Sequence, residues 1–356
     1  MTESTEKTEH KQMQYKGIDI MKFIMALLVI VLHTHPFYGM NQTCNFITAD
    51  VLGRLAVPFF FAATGFLLEK KLENNTASTK QVVGRYVWRL LKLYLIWTVV
   101  YLPIIIYSKI ICSERGITYG IFATVRDFVF CGSYAHLWYL PAAAVGVALV
   151  FLGFKKLGVR KTMGVLFVLY LAGLLTQSYF GILAAVLEGN GSIWRLLQLA
   201  KKVMVTCRNG VFFGGLFVGI GVIAARYPAK RELWKNVCGA LVSVVLLLIE
   251  ELWLHRYGIV REEDMYLMLV PATYFLLCVA LQLQTQKSTE LLRRMSMNIY
   301  FVHMIFKFVY RLFPGNAGEN GMGLFLFTLI GALVTAGLMN PVQSKWGRLK
   351  GAEDRA

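Results

Sequence analysis

The stretch GIDIMKFIMALLVIVLHTHPF, residues 17–37, decides the fold class of this chain. Within this apolar run, Lys22 and His33 stand eleven residues apart. Eleven residues are close to three helical turns, so both side chains point to one face, about 16 Å apart along the helix axis. That distance is about half a bilayer. A cation and a base placed inside a membrane in this way indicate a chemical role.

The composition agrees with a membrane location. The chain has 356 residues, of which 57% are hydrophobic and 16% are charged, and this is too apolar for a soluble two-domain protein. The formal net charge of +17 would suggest nucleic acid binding in a soluble chain. The basic residues cluster in short loops beside apolar runs, however, which indicates orientation in a membrane instead.

Ten apolar segments long enough to cross a bilayer follow one another along the chain. They run over residues 18–36, 51–68, 89–112, 137–154, 162–182, 210–225, 236–254, 264–283, 295–312 and 322–340. With the N-terminus inside, 24 of the 37 Lys and Arg residues fall on the cytoplasmic side and 11 on the outer side, as the positive-inside rule requires. We therefore predict an all-α, polytopic membrane bundle of ten helices with both termini in the cytoplasm.

The same segments predict the domain organisation. A cytoplasmic polar tail (1–16) precedes a single transmembrane domain (17–341), and a cytoplasmic basic tail (342–356) follows it. No cleavable signal peptide is expected, because the first apolar run continues into Pro36 without a small-residue cleavage site. Two outer connections, 113–136 and 183–209, contain amphipathic stretches that fit either lids over an outward-facing cavity or surface packing.

His33 is the leading candidate for a catalytic base, since a partly desolvated imidazole is neutral and can accept a proton. The alternative is a histidine bonded to a helix carbonyl. Lys22 fits either an ion pair with Asp19, three residues earlier, or a side chain that reaches the cytoplasmic interface. Further candidates for polar roles on the outer side or inside the ninth helix are Arg54, His136, Arg208, Asn209 and His303.

Several common catalytic motifs are missing from the sequence. It has no nucleophile elbow, no P-loop, no dinucleotide fingerprint and no zinc-protease motif. Its six cysteines show no metal-ligand spacing. We therefore expect no metal site and no bound cofactor.

Five pieces of sequence together resemble the membrane-bound acyltransferase 3 family. They are GIDIMKFIMALLVIVLH (17–33), VPFFFAATGFLL (57–68), HLWYLPA (136–142), RNGVFFG (208–214) and SMNIYFVH (296–303). The resemblance covers nearly the whole chain. The first-helix motif of the family is an arginine and a histidine separated by ten residues, which places Lys22 and His33 at those positions. Lysine in place of arginine keeps the charge but loses the planar fork of the guanidinium.

A narrower resemblance links EEDMYLMLVPATYFLL (262–277) and TCRNGVFF (206–213) to the membrane half of the serine racemases of glycopeptide resistance. In that subgroup the same module precedes a pyridoxal phosphate domain, which is not expected in this chain. The membrane half is thought to bring serine into the cell. Uptake or sensing of a small amino acid such as serine is therefore an alternative function.

The broader resemblance implies a multi-pass plasma-membrane enzyme that transfers an acyl group from acyl-CoA, with acetyl-CoA the expected donor, to a hydroxyl. The acceptor is a glycan of the cell envelope or another small hydroxyl-bearing molecule. His33 is then the general base and Lys22 holds the donor, while Arg54, His136, Arg208, Asn209 and His303 bind substrate. Membrane lipids are expected partners and nucleic acid is not; a separate partner protein, a homo-oligomer and an inactive scaffold stay open.

Overall fold

The structure of the protein is a computed structural model. Its described residues are 15–187, 190–228, 231–260, 263–315 and 320–353, and within them the side chains of 193, 197, 200–204 and 341–353 are left out of the description. Helices and the turns between them make up all of these ranges, which contain no strand. The all-α prediction is therefore confirmed for this part of the chain. Most of the predicted N-terminal tail lies outside the described residues.

The described ranges contain thirteen helices, numbered in chain order. They are α1 (Lys16–Thr34), α2 (Gln42–Glu73), α3 (Thr79–Ile111), α4 (Ile117–Phe130), α5 (Tyr139–Leu157), α6 (Val159–Thr176), α7 (Phe180–Leu187), α8 (Gly191–Met204), α9 (Gly210–Arg226), α10 (Leu233–Arg256), α11 (Leu269–Gln282), α12 (Glu290–Arg311) and α13 (Met322–Glu353). Each of the ten predicted apolar segments falls on a helix. The two amphipathic stretches form α4 and α8.

Seven of these helices are long and apolar enough to cross a membrane. They are α1, α2, α3, α5, α6, α10 and the Met322–Asn340 part of α13. Helices α9 and α11 are apolar but shorter, and α12 carries Glu290, Arg293, Arg294, Lys307 and Arg311 in its 22 residues. The bundle is thus that of a multi-pass membrane protein, while the count of ten spans and the cytoplasmic termini stay predictions.

Helix α1 ends where the sequence indicates. Its last residue is Thr34, and His35 adopts a left-handed backbone with φ of 46° just before Pro36. The backbone N–H of His35 donates to the carbonyl of Val31 at 2.9 Å, which satisfies one of the open carbonyls of the last turn. This end brings His33 to one end of the bundle.

Two glycines allow α2 and α9 to cross in close contact. A Cβ on Gly65 would lie 2.0 Å from the carbonyl oxygen of Val218, and a Cβ on Gly221 would lie 1.9 Å from that of Ala62. Small residues let helix backbones approach each other in membrane bundles. The stretch RNGVFFG at the start of α9 is thereby fixed against the VPFFFAATGFLL segment of α2.

The N-terminus of α11 is held by a carboxylate from the neighbouring helix α10. Glu250 accepts the backbone N–H groups of Leu267 at 2.6 Å and Met268 at 2.8 Å, and the hydroxyl of Tyr179 donates to it at 2.6 Å. An acidic side chain at a helix N-terminus satisfies open N–H groups and complements the helix dipole. The contact fixes the loop that contains Asp264.

Candidate functional site

A cavity of about 610 Å³ opens at the end of the bundle where α1, α3 and α12 terminate. It is bounded by the end of α1, the last turn of α3, α4, the segment after α4, the segment before α9 and the second half of α12. Its polar and charged lining residues are His33, Tyr107, Ser108, Lys109, Asp127, Cys131, Tyr134, Arg208, Lys307 and Arg311. Two of the predicted site residues, His33 and Arg208, therefore share one cavity.

Three histidines that are far apart in sequence form a row behind the cavity wall. The half-buried ring of His33 stacks on that of His303, with 5.4 Å between centroids and 29° between planes. The ring of His303 in turn meets that of His136 edge-on at 5.1 Å. Both His303 and His136 are buried. The structure thus joins three of the predicted site residues, with His33 as the member that faces the cavity.

The tautomer of His303 follows from its backbone contact. Its Nδ1 lies 2.8 Å from the carbonyl oxygen of Tyr300, and a carbonyl can only accept, so Nδ1 carries the hydrogen. The basic nitrogen is then Nε2, which is buried and has no hydrogen-bond partner among the described residues. His303 therefore matches the structural alternative that the sequence left open for His33, that of a histidine bonded to a helix carbonyl.

His136 is held in place through its backbone and its ring edges. Its carbonyl oxygen accepts a hydrogen bond from the hydroxyl of Tyr300. Its ring packs edge-on against Tyr101 at 5.0 Å and against Tyr300 at 5.3 Å between centroids. His136 is absent from the cavity lining, and its ring meets His303 instead, so its role toward substrate stays a prediction.

Arg54 and Arg208 meet at one carboxylate, Asp264. Arg54 donates to it at 2.9 Å, and Arg208 approaches both of its oxygens, at 3.0 and 3.1 Å. Glu263 adds a longer contact to Arg54 of 3.6 Å. The guanidinium of Arg208 also lies over the ring of Trp138, 5.4 Å from its centroid, a favourable cation–π geometry. Arg208 lines the cavity, whereas Arg54 lies behind it and supports the shared carboxylate.

Asn209 and Lys22 lie away from the cavity lining. The side-chain oxygen of Asn209 accepts the backbone N–H groups of Val211 at 2.9 Å and Phe212 at 3.0 Å, which caps the start of α9. Lys22 is half-buried near the opposite end of α1. The carboxylate of Asp19 accepts the hydroxyl of Thr289 at 2.8 Å, and no ion pair joins Asp19 to Lys22 in the described part of the chain. Roles of Asn209 and Lys22 toward substrate stay predictions.

The sequence reasoning missed Asp264, Lys307 and Arg311. The ammonium of Lys307 donates to the carbonyl oxygen of His33, which places a cation on the C-terminal end of α1. The signal for it was present, because Lys307 follows His303 by four residues and shares its helix face. Among the described residues, no group of three or more His, Cys, Asp and Glu side chains could hold a metal ion.

A match to a known protein family covers nearly the whole chain. Residues 15–340 match the family described as an acyltransferase domain, acyltransferase 3. An amino-acid racemase of Enterococcus faecalis is 30% identical over 79% of this chain and 38% of its own length. A serine/alanine racemase of Enterococcus gallinarum is 29% identical over 82% of this chain and 40% of its own length.

The chain therefore spans about two fifths of the length of these curated relatives, and no solved structure matches it. The matched region includes His33, His136, Arg208 and His303, which form or adjoin the cavity. Both resemblances found in the sequence, to the acyltransferases and to the membrane racemases, are thus confirmed. On this evidence, the chain is a member of the acyltransferase 3 family of membrane proteins.

Proposed function

We propose that this protein is an O-acyltransferase of the plasma membrane. It takes an acyl group, most simply acetyl, from a thioester donor such as acetyl-CoA on the cytoplasmic side. It delivers that group to a hydroxyl of an envelope glycan or a related acceptor. The observation that carries the proposal is the position of His33, the histidine of the family motif, on the wall of a cavity large enough for a small ligand.

His33 is suited to act as the general base. Its ring faces the cavity and stacks on a second imidazole, which limits its orientation. In the proposed step His33 takes the proton of the acceptor hydroxyl while the oxygen attacks the thioester carbonyl. The C–O bond forms, the C–S bond breaks, and the thiolate leaves with the proton that His33 returns. Arg208 and Lys307 line the same cavity and supply positive charge toward the developing oxyanion.

Lys22 is proposed to hold the donor. It lies about 16 Å from His33 along α1, near the N-terminal end of the helix, which is predicted to face the cytoplasm. An ammonium there attracts the phosphates of coenzyme A as a point charge, without the bidentate geometry of an arginine. In this arrangement the charged part of the donor stays near Lys22 and its thioester end extends toward His33.

The test is acetyl transfer by purified protein in liposomes supplied with labelled acetyl-CoA and an extract of envelope glycans. His33→Ala removes the base, so we expect a loss of about 10²- to 10⁴-fold in rate with unchanged insertion into the membrane. The control is His255→Gln, which changes a histidine outside the cavity lining. Full activity of the His33 variant would rule out this role.

The racemase relatives support one second candidate, uptake of a small amino acid such as serine. It would use the same cavity for a solute. Uptake of labelled serine into liposomes containing the protein, measured beside acetyl transfer, separates the two functions. Serine accumulation that survives His33→Ala, together with no acetyl transfer, would favour uptake.

A further inference from the structure

The cavity around His33 has a strong excess of positive charge. Four cationic side chains line it, Lys109, Arg208, Lys307 and Arg311, against one carboxylate, Asp127. Asp127 is already engaged by Lys109 at 2.9 Å and by Arg126 at 2.8 Å. Asp264 stands behind Arg208 and shares its charge with Arg54. Arg126 and Arg54 add two positive charges to this environment and Asp264 and Glu263 add two negative ones, so the excess of positive charge is unchanged.

The four cationic side chains differ in how many protein acceptors already bind them. Arg208 donates from Nη1 to one oxygen of Asp264 and its Nε lies 3.0 Å from the other, and Lys307 donates to the carbonyl of His33. Arg311 has a single long contact, 3.4 Å from its Nη2 to the side-chain oxygen of Asn320. The Nε atoms of Arg311 and Arg208 are both buried without a hydrogen-bond partner among the described residues, but Arg311 has no carboxylate beside it comparable to the Asp264 of Arg208. A buried guanidinium nitrogen of this kind is costly unless something binds it.

The position of Arg311 relative to His33 is set by α12. Arg311 follows Lys307 by four residues, so the two share one face about 6 Å apart along the axis. Lys307 contacts the backbone of His33 itself. A group bound at Arg311 therefore lies about one helical turn from the contact that holds the end of α1.

We propose that the cavity recognises a ligand that carries a carboxylate or phosphate close to a hydroxyl. Arg311 binds the anionic group, Lys307 and Arg208 attract it, and the hydroxyl is placed at His33. The placement of the hydroxyl at His33 rests on the proposed acyl transfer. Recognition of the anionic group does not, and it applies to a transported solute as well. A hydroxy amino acid and an acidic sugar both have this chemistry.

The test is direct binding by purified protein in lipid nanodiscs at low salt, with no donor present. The two probe pairs are L-serine with L-serinamide and D-glucuronate with D-glucose. We expect at least one anionic probe to bind about tenfold or more tightly than its amide or neutral partner. Serine alone identifies an amino acid site, and glucuronate alone identifies an acidic sugar site.

Variants connect the binding to Arg311. We expect Arg311→Gln to weaken binding of the preferred anionic probe about tenfold and Arg311→Lys to retain part of the affinity. Lys156→Gln should change nothing, since Lys156 is exposed in the last turn of α5 and does not line the cavity. Equal affinity for charged and uncharged probes, no saturable binding of either anion, or unchanged affinity in Arg311→Gln would overturn the proposal.

A second readout on the unmodified protein uses Cys131, whose thiol lines the cavity. The bound anion should protect Cys131 from a maleimide, as measured peptide by peptide with mass spectrometry. Burial raises the pKa of the Cys131 thiol, so the reaction is run at mildly alkaline pH. Neither probe binding nor protection of Cys131 requires acyl transfer. Both therefore test anion recognition even if the protein proves not to be an acyltransferase.

Discussion

Asp264 is the carboxylate that two of the predicted site arginines share. Its side chain is 11% exposed and takes hydrogen bonds from Arg54, whose side chain is 15% exposed, and from Arg208, at 34%. A carboxylate between two guanidiniums keeps each of them from repelling the other. The contact with Asp264 therefore fixes the orientation in which Arg208 enters the cavity.

We expect Asp264→Asn to destabilise the protein by an amount on the order of 3 kcal/mol, because it removes the carboxylate that Arg54 and Arg208 share and leaves the buried Arg54 only its longer contact with Glu263. The measurement is the apparent melting temperature in detergent. Glu73→Gln is the matched control, since it breaks an exposed pair with Lys70 that is worth under about 1 kcal/mol. Equal melting temperatures for both variants would show that Asp264 does not hold the arginines together.

His33 and His303 were identifiable as site residues from sequence, because an ionisable side chain in an apolar helix stands out locally. Asp264 and Arg311 were not, since their roles come from contacts between distant segments. Asp264 meets Arg54 across 210 positions of the chain. Neither an acidic residue in a polar loop nor an arginine at a helix end carries a local signal that distinguishes it from a solvated one.

At the scale of elements, the crossing of α2 and α9 is the tightest contact that the glycines reveal. Each helix places a glycine against a backbone carbonyl of the other. These two contacts join the helices that contain the family segments VPFFFAATGFLL and RNGVFFG. Because backbone cannot move aside as a flexible side chain can, this crossing tolerates no added carbon.

Gly221→Ala should therefore lower the apparent melting temperature strongly, since its Cβ would lie 1.9 Å from the carbonyl oxygen of Ala62. Gly164→Ala is the matched control within α6, where nothing lies within 4 Å of an added Cβ. There, alanine improves helix propensity by up to about 1 kcal/mol. A Gly221 variant as stable as the Gly164 variant would mean that α2 and α9 do not cross this closely.

For the whole molecule, the helical segments were predictable because apolar length is a strong signal. The number of membrane crossings was harder to predict, because α12 combines a polar, partly charged sequence with a buried position. Ser296, Asn298 and His303 are all buried there. Hydropathy recognises a membrane span by its apolar side chains. A helix that is surrounded by other helices does not face lipid, so it can carry polar side chains and still lie inside the bundle.

The predicted orientation can be tested with native cysteines. Cys44 is exposed in a connection predicted to face outward, and Cys112 is exposed at the predicted outer end of the segment 89–112. Thr76 is exposed in a connection predicted to face inward. A membrane-impermeant maleimide applied to intact cells should label Cys44 and Cys112. A cysteine introduced by Thr76→Cys should react only after permeabilisation. The reverse pattern would invert the topology.

Helix α11 has 14 residues, which span about 21 Å, whereas the hydrocarbon layer is about 30 Å thick. Such hydrophobic mismatch is relieved by local thinning of the bilayer or by burying irregular backbone inside protein. At the N-terminal end of α11, Glu250 allows irregular backbone to be buried, because its carboxylate accepts the N–H groups of the two residues just before the helix. If α11 is one of the predicted crossings, the segment just before it lies at membrane depth, where the carboxylate of Glu250 takes the place of water for the backbone N–H groups of Leu267 and Met268.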